Sequence, residues 1–307
     1  MSQAANSQTT AITTPFKAGY VALIGAPNVG KSTLMNALLG QKLSIVTPKP
    51  QTTRHRILGI LTGADFQIIF LDTPGLLIPR YKLQEIMVKT IRSAIAEADV
   101  LLFMVEPDYP VPQPTISFLT EVQQSGKPLV LAINKIDTVL KDNLLPIIDS
   151  YARHFHLSTI IPISALKADG LDDLQKVLIE LLPEGMPFYP EDMITDHPER
   201  FFVAEIIREK VFQHYGEEIP YSTSVGIEEF SEREQGKDYI RAVIYVEKQS
   251  QKGIIIGKQA SALKRIGQLA REEIELFLQR PVFLEIFVKV KEKWRQKEMV
   301  LRELGYK

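Results

Sequence analysis

Residues 25–32 (GAPNVGKS) have the residue types and the spacing of a phosphate-binding loop. The pattern is G-x-x-x-x-G-K-[ST], in which the glycines allow backbone N–H groups to surround phosphate oxygens. The helix predicted to follow adds a favourable dipole at its N-terminus. We therefore predict that the Lys31 ammonium binds the β- and γ-phosphates and that the Ser32 hydroxyl ligates Mg²⁺. The residues of this loop region assigned to phosphate are Gly25, Pro27, Asn28, Val29, Gly30, Lys31, Ser32 and Thr33.

The motif DTPG at residues 72–75 follows a predicted strand and would supply further contacts with metal and phosphate. The Asp72 carboxylate would hold Mg²⁺ through water, and the Gly75 N–H would bind the γ-phosphate. Two threonines, Thr52 and Thr53, lie between this motif and the phosphate loop. A loop threonine that ligates Mg²⁺ only when a γ-phosphate is bound acts as a switch. We predict Thr53 in this role, with Thr52 as the alternative.

The motif NKID at residues 134–137 predicts which base is bound. The Asp137 carboxylate can accept hydrogen bonds from both N1–H and the exocyclic amine of guanine, which selects guanine over adenine. Asn134 would meet the opposite edge of the base or brace the loop, and the stem of Lys135 would cover the face of the base. Residues 164–166 would offer a backbone N–H to the guanine carbonyl. The predicted guanine-binding residues are Asn134, Lys135, Asp137, Ser164, Ala165 and Leu166.

The position directly after the DTPG motif bears on hydrolysis. In Ras-like enzymes a glutamine there orients the attacking water, whereas this chain has Leu76 followed by Leu77. Neither side chain can act as a base or anchor a water molecule. Hydrolysis would depend on Mg²⁺, Lys31, loop N–H groups and a further positive charge, and we expect slow turnover. Slow turnover suits a switch, and a nucleotide-binding scaffold with negligible hydrolysis is an alternative.

The apolar pattern of the first half predicts how these motifs are positioned. From residue 18 to about 182, short apolar strands alternate with helical patterns, which is typical of an α/β domain. A turn at residues 62–65 (TGAD) predicts one antiparallel edge strand in an otherwise parallel six-stranded sheet. The predicted strands are residues 20–24, 56–61, 66–71, 100–105, 129–133 and 160–163. The predicted helices are residues 33–39, 83–97, 113–124, 144–154 and 171–181.

Residues 183–190 (PEGMPFYP) interrupt this alternation and predict a linker. The order that follows, α-β-β-α-α-β, differs in kind from the first half and indicates a second, α+β domain. Its predicted elements are a helix at 199–215, strands at 221–230 and 239–246, helices at 261–266 and 268–278 after an apolar run at 253–257, and a strand at 282–290. The predicted divisions are a disordered tail at 1–17, a P-loop domain at 18–183, a linker at 184–198 and a second domain at 199–307.

Composition excludes several classes of protein. Of the 307 residues 45% are hydrophobic, which is enough for a core, and a formal charge of −1 gives no overall attraction to nucleic acid. The absence of cysteine excludes disulfides, cysteine metal sites and a cysteine nucleophile, and it suits a reducing cytoplasm. The longest apolar runs, such as residues 100–105, are too short to span a bilayer. The N-terminal residues lack the pattern of a signal peptide.

Basic side chains nevertheless cluster in the second half. Six of them stand between residues 248 and 271 without an acid, and five stand between residues 289 and 297 with only Glu292 against them. Basic side chains around a glycine turn favour a phosphate backbone, whereas a solvated charged face is the common alternative. Anionic lipid would also suit such a surface. The alternative function is therefore a switch whose second domain binds a protein or membrane surface in cell-cycle signalling.

The combined motifs, with TTR at residues 52–54 and SA at 164–165, resemble those of the Era branch of the translation-factor-class GTPases. The resemblance covers nearly the whole chain, about residues 18–306. It implies a Mg²⁺-dependent enzyme that converts GTP to GDP and phosphate and is stimulated by K⁺, held partly by Asn28. Arg54 competes with K⁺ as the source of that positive charge. For Asn28, the alternative is that its side chain only caps the phosphate loop. The implied catalytic residues are Lys31, Asn28 and Thr53, with Ser32, Thr53 and Asp72 on Mg²⁺ and Asn28 on K⁺.

Residues 254–267 (IIIGKQASALKRIG) resemble part of a type II KH domain, whose G-x-x-G loop clamps single-stranded RNA. The fourth loop position is Ala260 instead of glycine. If this position requires a positive φ or a very close approach of the RNA backbone, alanine would weaken the grip on RNA. For Trp294, core packing and base stacking are equally good interpretations. The predicted RNA-binding residues are Ile256, Gly257, Lys258, Gln259, Ala260, Lys264 and Arg265. The resemblance implies a cytoplasmic monomer that binds the 3′ end of 16S ribosomal RNA, acts in assembly of the 30S small ribosomal subunit and associates peripherally with the inner membrane.

Overall fold

The computed structural model of the protein describes residues 15–108, 110–155, 157 and 159–306. Most of the predicted tail, residues 1–17, lies outside these ranges, and the first strand begins at Lys17. The strands of the first sheet are β1 (Lys17–Gly25), β2 (Ile57–Thr62), β3 (Phe66–Asp72), β4 (Val100–Val105), β5 (Leu129–Ile133) and β6 (Ile160–Pro162).

The first sheet has the predicted mixture of strand directions. In the order β2-β3-β1-β4-β5-β6, neighbouring strands are parallel except β2 and β3, which are antiparallel. Strand β4 is buried along its full length, as expected for a strand covered on both faces. The helices of this domain are α1 (Lys31–Leu39), α2 (Lys82–Glu97), α3 (Gln113–Gln123), α4 (Lys141–Phe155) and α5 (Leu171–Leu181). The predicted P-loop α/β fold with one antiparallel edge strand is confirmed.

Three strands of this sheet position the functional loops. Gly25 ends β1, Asp72 ends β3, and Asn134 directly follows β5. Because β1 is parallel to β3 and the direction continues through β4 to β5, these ends lie at one edge of the sheet. Ligands of open α/β sheets bind at this edge.

The second half of the chain forms a separate three-stranded sheet with its own helices. Its elements are α6 (Glu199–His214), β7 (Ser224–Ser231), β8 (Asp238–Val246), α7 (Gln249–Ile256), α8 (Ser261–Leu278), β9 (Val282–Val290) and α9 (Glu298–Glu303). Strands β7 and β8 are antiparallel, β8 and β9 are parallel, and α6 and α8 pack against the buried face of the sheet. The α-β-β-α-α-β order of the type II KH fold is confirmed. Within the described ranges, no helix is both long and apolar enough to cross a membrane.

The helices of the second domain differ in one respect from the prediction. Residues 261–266 and 268–278 form a single helix, α8, that continues through Gly267. The bare Cα of Gly267 faces β9, since a Cβ atom there would lie 3.7 Å from Ile286 Cδ1. The apolar run at residues 253–257 is the end of α7 and its following turn. The predicted helix break was therefore wrong, because packing against the sheet outweighs the low helix propensity of glycine.

A small apolar cluster joins α2 to the C-terminal segment. Trp294 lies at its centre, fully buried, and its indole N–H donates to the Ser222 carbonyl oxygen at 2.8 Å. Its ring is therefore packed in the protein and is not available for base stacking, which decides between the two interpretations. The buried members of this cluster are Leu83, Met87, Trp294, Leu301 and Tyr306.

Candidate functional site

The phosphate loop connects β1 with α1 and encloses a buried cation. Gly30, directly before α1, has a φ of 102°, a left-handed conformation that glycine adopts without steric cost. The Lys31 ammonium donates to the carbonyl oxygens of Gly25 at 3.1 Å and Ala26 at 2.9 Å. Burial lowers the pKa of Lys31 to about 8, and the charge of Asp72 opposes that shift. The cation lies where the phosphates are predicted to bind.

Three oxygen-bearing side chains from separate segments meet beside Lys31. The Ser32 hydroxyl donates to Asp72 Oδ2 at 2.7 Å and lies 3.0 Å from Thr53 Oγ1. Asp72 is fully buried, and its Oδ1 has no hydrogen-bond partner within the described structure. Burial raises the pKa of this carboxyl, while the Ser32 hydroxyl, the Lys31 charge and the Ser44 hydroxyl oppose the rise. An unsatisfied buried carboxylate oxygen beside two hydroxyls fits a hard cation such as Mg²⁺.

The structure distinguishes the two candidate switch threonines. Thr53 Oγ1 lies beside Ser32, as described, whereas the Thr52 hydroxyl donates to the Lys49 carbonyl oxygen at 2.7 Å. Thr52 Oγ1 also lies 2.6 Å from Thr47 Oγ1. The geometry therefore places Thr53 beside Ser32, a predicted Mg²⁺ ligand, whereas the Thr52 hydroxyl is bonded elsewhere in the loop.

Asn134 connects the base-binding motif to the phosphate loop. Its side chain is buried, and its Nδ2 donates to the Val29 carbonyl oxygen at 2.7 Å. Its Oδ1 accepts the Ala165 N–H at 2.9 Å. Of the two roles considered for Asn134, the structure shows the brace. Together the two bonds connect residues 164–166 to the phosphate loop through Asn134.

Of the remaining predicted guanine-binding residues, Lys135, Asp137, Ala165 and Leu166 line a cavity of about 450 Å³ next to the phosphate loop, whereas Ser164 does not line it. Asp137 is fixed there, because its Oδ1 accepts the Ser164 hydroxyl at 2.6 Å. Lys135 pairs with Glu106, with 2.5 Å between Nζ and Oε1. Leu166 lies at the cavity with 74% of its surface exposed. The structure thus brings the predicted phosphate and guanine residues together around one continuous site.

Two residues considered as sources of charge for hydrolysis differ in position. Asn28 lies in the phosphate loop with a φ of 65°, and its Nδ2 donates to the Pro48 carbonyl oxygen at 2.7 Å. Arg54 is only 3% exposed and points into the second domain. Its guanidinium donates to the carbonyl oxygens of Pro220, Tyr221 and Thr223. Arg54 is therefore not placed to supply charge at the phosphates.

The two leucines after the DTPG motif are held by packing. The Leu76 N–H donates to the Gly25 carbonyl oxygen at 3.0 Å, and its side chain packs on the core of the first domain. Leu77 packs on the cluster around Trp294. Both positions are apolar, so they offer no side-chain group to orient a water molecule, as the sequence indicated.

The backbone φ is positive at three of the four residues of the loop between α7 and α8. The φ angles are 70° at Gly257, 52° at Gln259 and 59° at Ala260. A positive φ at Ala260 costs about 1 kcal/mol relative to glycine. This is one of the two conditions under which alanine is expected to weaken the grip of the loop on RNA. A cavity of about 520 Å³ lies between the loop, α8 and β9. Its lining residues are Ala260, Leu263, Lys264, Gly267, Gln268, Arg271, Leu284 and Ile286.

The predicted RNA-binding residues surround this cavity unequally. Ala260 and Lys264 line it. The others lie beside it, on the loop or at the ends of the flanking helices, namely Ile256, Gly257, Lys258, Gln259 and Arg265. Arg271, which also lines the cavity, was counted in the basic cluster at residues 248–271 but was not among the predicted RNA-binding residues. Its spacing of seven residues from Lys264 places both on one face of α8, a signal that could have found it.

Comparison with known proteins decides the family. Residues 20–135 match the family described as "50S ribosome-binding GTPase", and residues 218–295 match the family described as "KH domain". GTPase Era of Ruminiclostridium cellulolyticum is 47% identical over 292 residues, which cover 95% of this chain and 98% of that protein. The chain belongs to the Era family of GTPases.

Solved Era structures share both domains with this Era-family chain. A single-residue variant of Aquifex aeolicus Era, bound to GDP·AlF4⁻, is 44% identical and superposes with a TM-score of 0.92, covering 95% of this chain and 99% of that one. The same values hold for Era in complex with MgGDPNP and nucleotides 1506–1542 of 16S ribosomal RNA. The similarity therefore extends to the arrangement of the GTPase and KH domains.

Proposed function

We propose that this Era-family GTPase is a Mg²⁺-dependent switch that binds the 3′ end of 16S ribosomal RNA and acts in assembly of the 30S subunit. One observation carries the proposal. Residues 46–54, here named the switch segment, contact the nucleotide site on one side and the KH domain on the other. Thr53 lies beside Ser32, whereas the adjacent Arg54 donates to carbonyl oxygens of the KH domain. A change at the γ-phosphate would therefore reach the KH domain through neighbouring residues.

The groups around the phosphates account for hydrolysis. Water attacks the γ-phosphorus, and the bond from that phosphorus to the β–γ bridging oxygen breaks, which leaves GDP and phosphate. Lys31 stabilises charge on the β- and γ-oxygens, and the Gly75 N–H orients the γ-phosphate. Bound Mg²⁺, held by Ser32, Thr53 and Asp72, would neutralise further phosphate charge. Because the position after the DTPG motif cannot orient water, unassisted turnover is slow.

Two observations support RNA as the partner of the KH domain. The solved Era complex with which this chain superposes contains nucleotides 1506–1542 of 16S ribosomal RNA. In this chain the KH cavity is bordered by the exposed lysines Lys258 and Lys264, and Arg271 lines its wall. Basic side chains around a cavity that also has apolar walls suit single-stranded RNA, which offers both phosphates and bases. We propose that binding takes place in the cytoplasm on the small ribosomal subunit, with the inner face of the membrane as the competing location.

Replacing Lys258 and Lys264 with alanine is expected to weaken RNA binding by about 10-fold. The slope of log affinity against log salt should fall by about 1.4, because each phosphate contact on a single strand contributes about 0.7. Filter binding of an RNA spanning nucleotides 1506–1542 measures both quantities. The matched control, Lys141→Ala/Lys176→Ala, removes the same charge from exposed positions of the GTPase domain. Equal losses in the two double variants, or tighter binding to anionic vesicles than to RNA, would count against this site.

We further propose that K⁺ assists hydrolysis at Asn28. The bond from Asn28 Nδ2 to Pro48 fixes the orientation of the amide within the phosphate loop, and the amide oxygen is a suitable ligand for a monovalent cation. Single-turnover hydrolysis should be about 10-fold faster in K⁺ than in Na⁺, and Asn28→Ala should remove that difference. Asn28→Asp keeps an oxygen ligand, so it should retain the K⁺ preference even though it loses the donor to Pro48. Equal rates of the unchanged protein in the two salts would refute the proposal.

A further inference from the structure

Helix α6 of the KH domain holds the switch segment at both ends and in its middle. At the first end, the Val46 N–H donates to Glu209 Oε1 at 3.0 Å. In the middle, the Lys49 ammonium donates to two backbone carbonyl oxygens at and just after the C-terminal end of α6. Near the second end, Arg208 Nη2 donates to the Thr52 carbonyl oxygen at 2.6 Å. A helix outside the GTPase domain therefore shapes the segment that carries the metal-binding threonine.

The charges that α6 uses for these contacts are buried. Arg208 and Glu209 are each 1% exposed, and Glu205, which accepts from Arg208, is 5% exposed. A buried ion pair stabilises a fold no better than a well-packed apolar pair does, so stability alone does not require Arg208. An apolar side chain could not supply the donor to the Thr52 carbonyl. The guanidinium is further oriented by the ring of Phe212, whose centroid lies 5.2 Å from Cζ.

The bond from Arg208 acts on the peptide group that joins Thr52 to Thr53. Because a peptide group is planar, fixing its carbonyl oxygen also fixes its nitrogen and restricts the direction in which Thr53 leaves the chain. Thr53 Oγ1 then lies 3.0 Å from Ser32 Oγ. We infer that Arg208 is a positioning residue for GTP hydrolysis, through which the KH domain sets the metal-binding hydroxyl of Thr53. This inference rests on the proposed function.

The double variant Glu205→Leu/Arg208→Met tests the inference without leaving a lone buried charge. At saturating GTP and Mg²⁺ its single-turnover rate should fall by about 10-fold. Its affinity for GDPNP should fall by about 5-fold and its affinity for GDP should stay within about 2-fold, because Thr53 is needed only when a γ-phosphate is present. The control Glu285→Leu/Arg241→Met removes a partly exposed pair, with 3.6 Å between its charged groups, from the KH sheet. It should change none of these values.

A double-mutant cycle with Thr53→Ala separates positioning from a general loss of structure. If Arg208 acts through Thr53, adding Glu205→Leu/Arg208→Met to Thr53→Ala should cause no further fall in rate. If the pair only supports the fold, the two losses multiply and affinity for GDP falls together with affinity for GDPNP. Multiplying losses, or an unchanged rate in Glu205→Leu/Arg208→Met, would overturn the inference.

Arg208→Lys keeps the experiment decisive if the double variant does not fold. Lysine preserves a positive charge beside Glu205 but lacks the planar fork that reaches Glu205 and Thr52 together. We expect hydrolysis about 5-fold slower with unchanged affinity for GDP, and a rate equal to that of the unchanged protein would overturn the inference. An unchanged protein that does not hydrolyse GTP would instead refute the proposed function, so the two failures are distinguishable.

Discussion

Asp137→Asn is expected to convert the chain from a guanine-nucleotide to a xanthine-nucleotide enzyme. The Asp137 carboxylate lines the cavity beside the phosphate loop, and its Oδ1 accepts the Ser164 hydroxyl. In our assignment the carboxylate accepts two charge-assisted hydrogen bonds from guanine, each worth about 1.5–3 kcal/mol. Asparagine offers one acceptor and one donor, so it opposes the guanine amine and matches the carbonyl that xanthine has there. Affinity for GTP should therefore fall by about 100- to 10,000-fold, while XTP binds and is hydrolysed.

Competition of GTP, GDP and XTP against a fluorescent nucleotide measures this change in specificity. An asparagine at position 137 can still accept the Ser164 hydroxyl, so the loop and the melting temperature should be preserved. Asp142→Asn, at an exposed position in the first turn of α4, is the matched control and should keep its preference for GTP. An undiminished GTP preference in Asp137→Asn would show that this carboxylate does not read the base.

The nucleotide site could be located from sequence because its motifs are local and each follows a strand. Gly25, Asp72 and Asn134 lie at or directly after the ends of β1, β3 and β5. Since neighbouring parallel strands bring their carboxyl ends to one edge, the motifs meet without any long-range information beyond the fold class. The role of Asn134 stayed open because a brace and a base contact need the same residue at the same place. Only its bonds to Val29 and Ala165 separate them.

The contacts of the switch segment could not be predicted, because they depend on how the two domains dock. Arg208 and the Thr52 carbonyl that it binds are separated by 156 positions in the chain, and no periodic pattern connects them. Arg54 has the residue type of an arginine finger, and only the fold shows that it points into the KH domain. The choice of Thr53 over the adjacent Thr52 likewise follows from the course of the backbone in this loop.

In the KH domain, local rules and packing disagree at two positions. Gly267 predicts a helix break, but its bare Cα lets α8 lie against β9 and the helix continues. At Ala260 the sequence shows a departure from the glycine of the G-x-x-G loop. The φ of 59° shows that Ala260 adopts a positive φ, which glycine would adopt at lower cost. The basic residues beside the loop could be predicted, whereas the contribution of Arg271 and β9 to the cavity depends on tertiary packing.

RNA affinity in the two nucleotide states tests the proposed switch most directly. In the proposed switch, Mg²⁺·GDPNP would hold Thr53 beside Ser32, which would keep the adjacent Thr52 carbonyl and Arg54 guanidinium on the KH domain, where both lie in this structure. This domain arrangement resembles that of the solved Era complex with MgGDPNP and RNA. With GDP the proposed link from the γ-phosphate to Thr53 would be lost, so this arrangement would no longer be favoured.

The measurement is the dissociation constant of an RNA spanning nucleotides 1506–1542, determined at fixed salt with Mg²⁺·GDPNP and with Mg²⁺·GDP. We expect binding about 30-fold tighter with GDPNP, which lies within the range of coupling typical of switches. Because coupling is reciprocal, the RNA should raise the affinity for GDPNP relative to GDP by the same factor. RNA affinities that agree within about 2-fold in the two nucleotide states would contradict the proposal that this GTPase is an RNA-coupled switch.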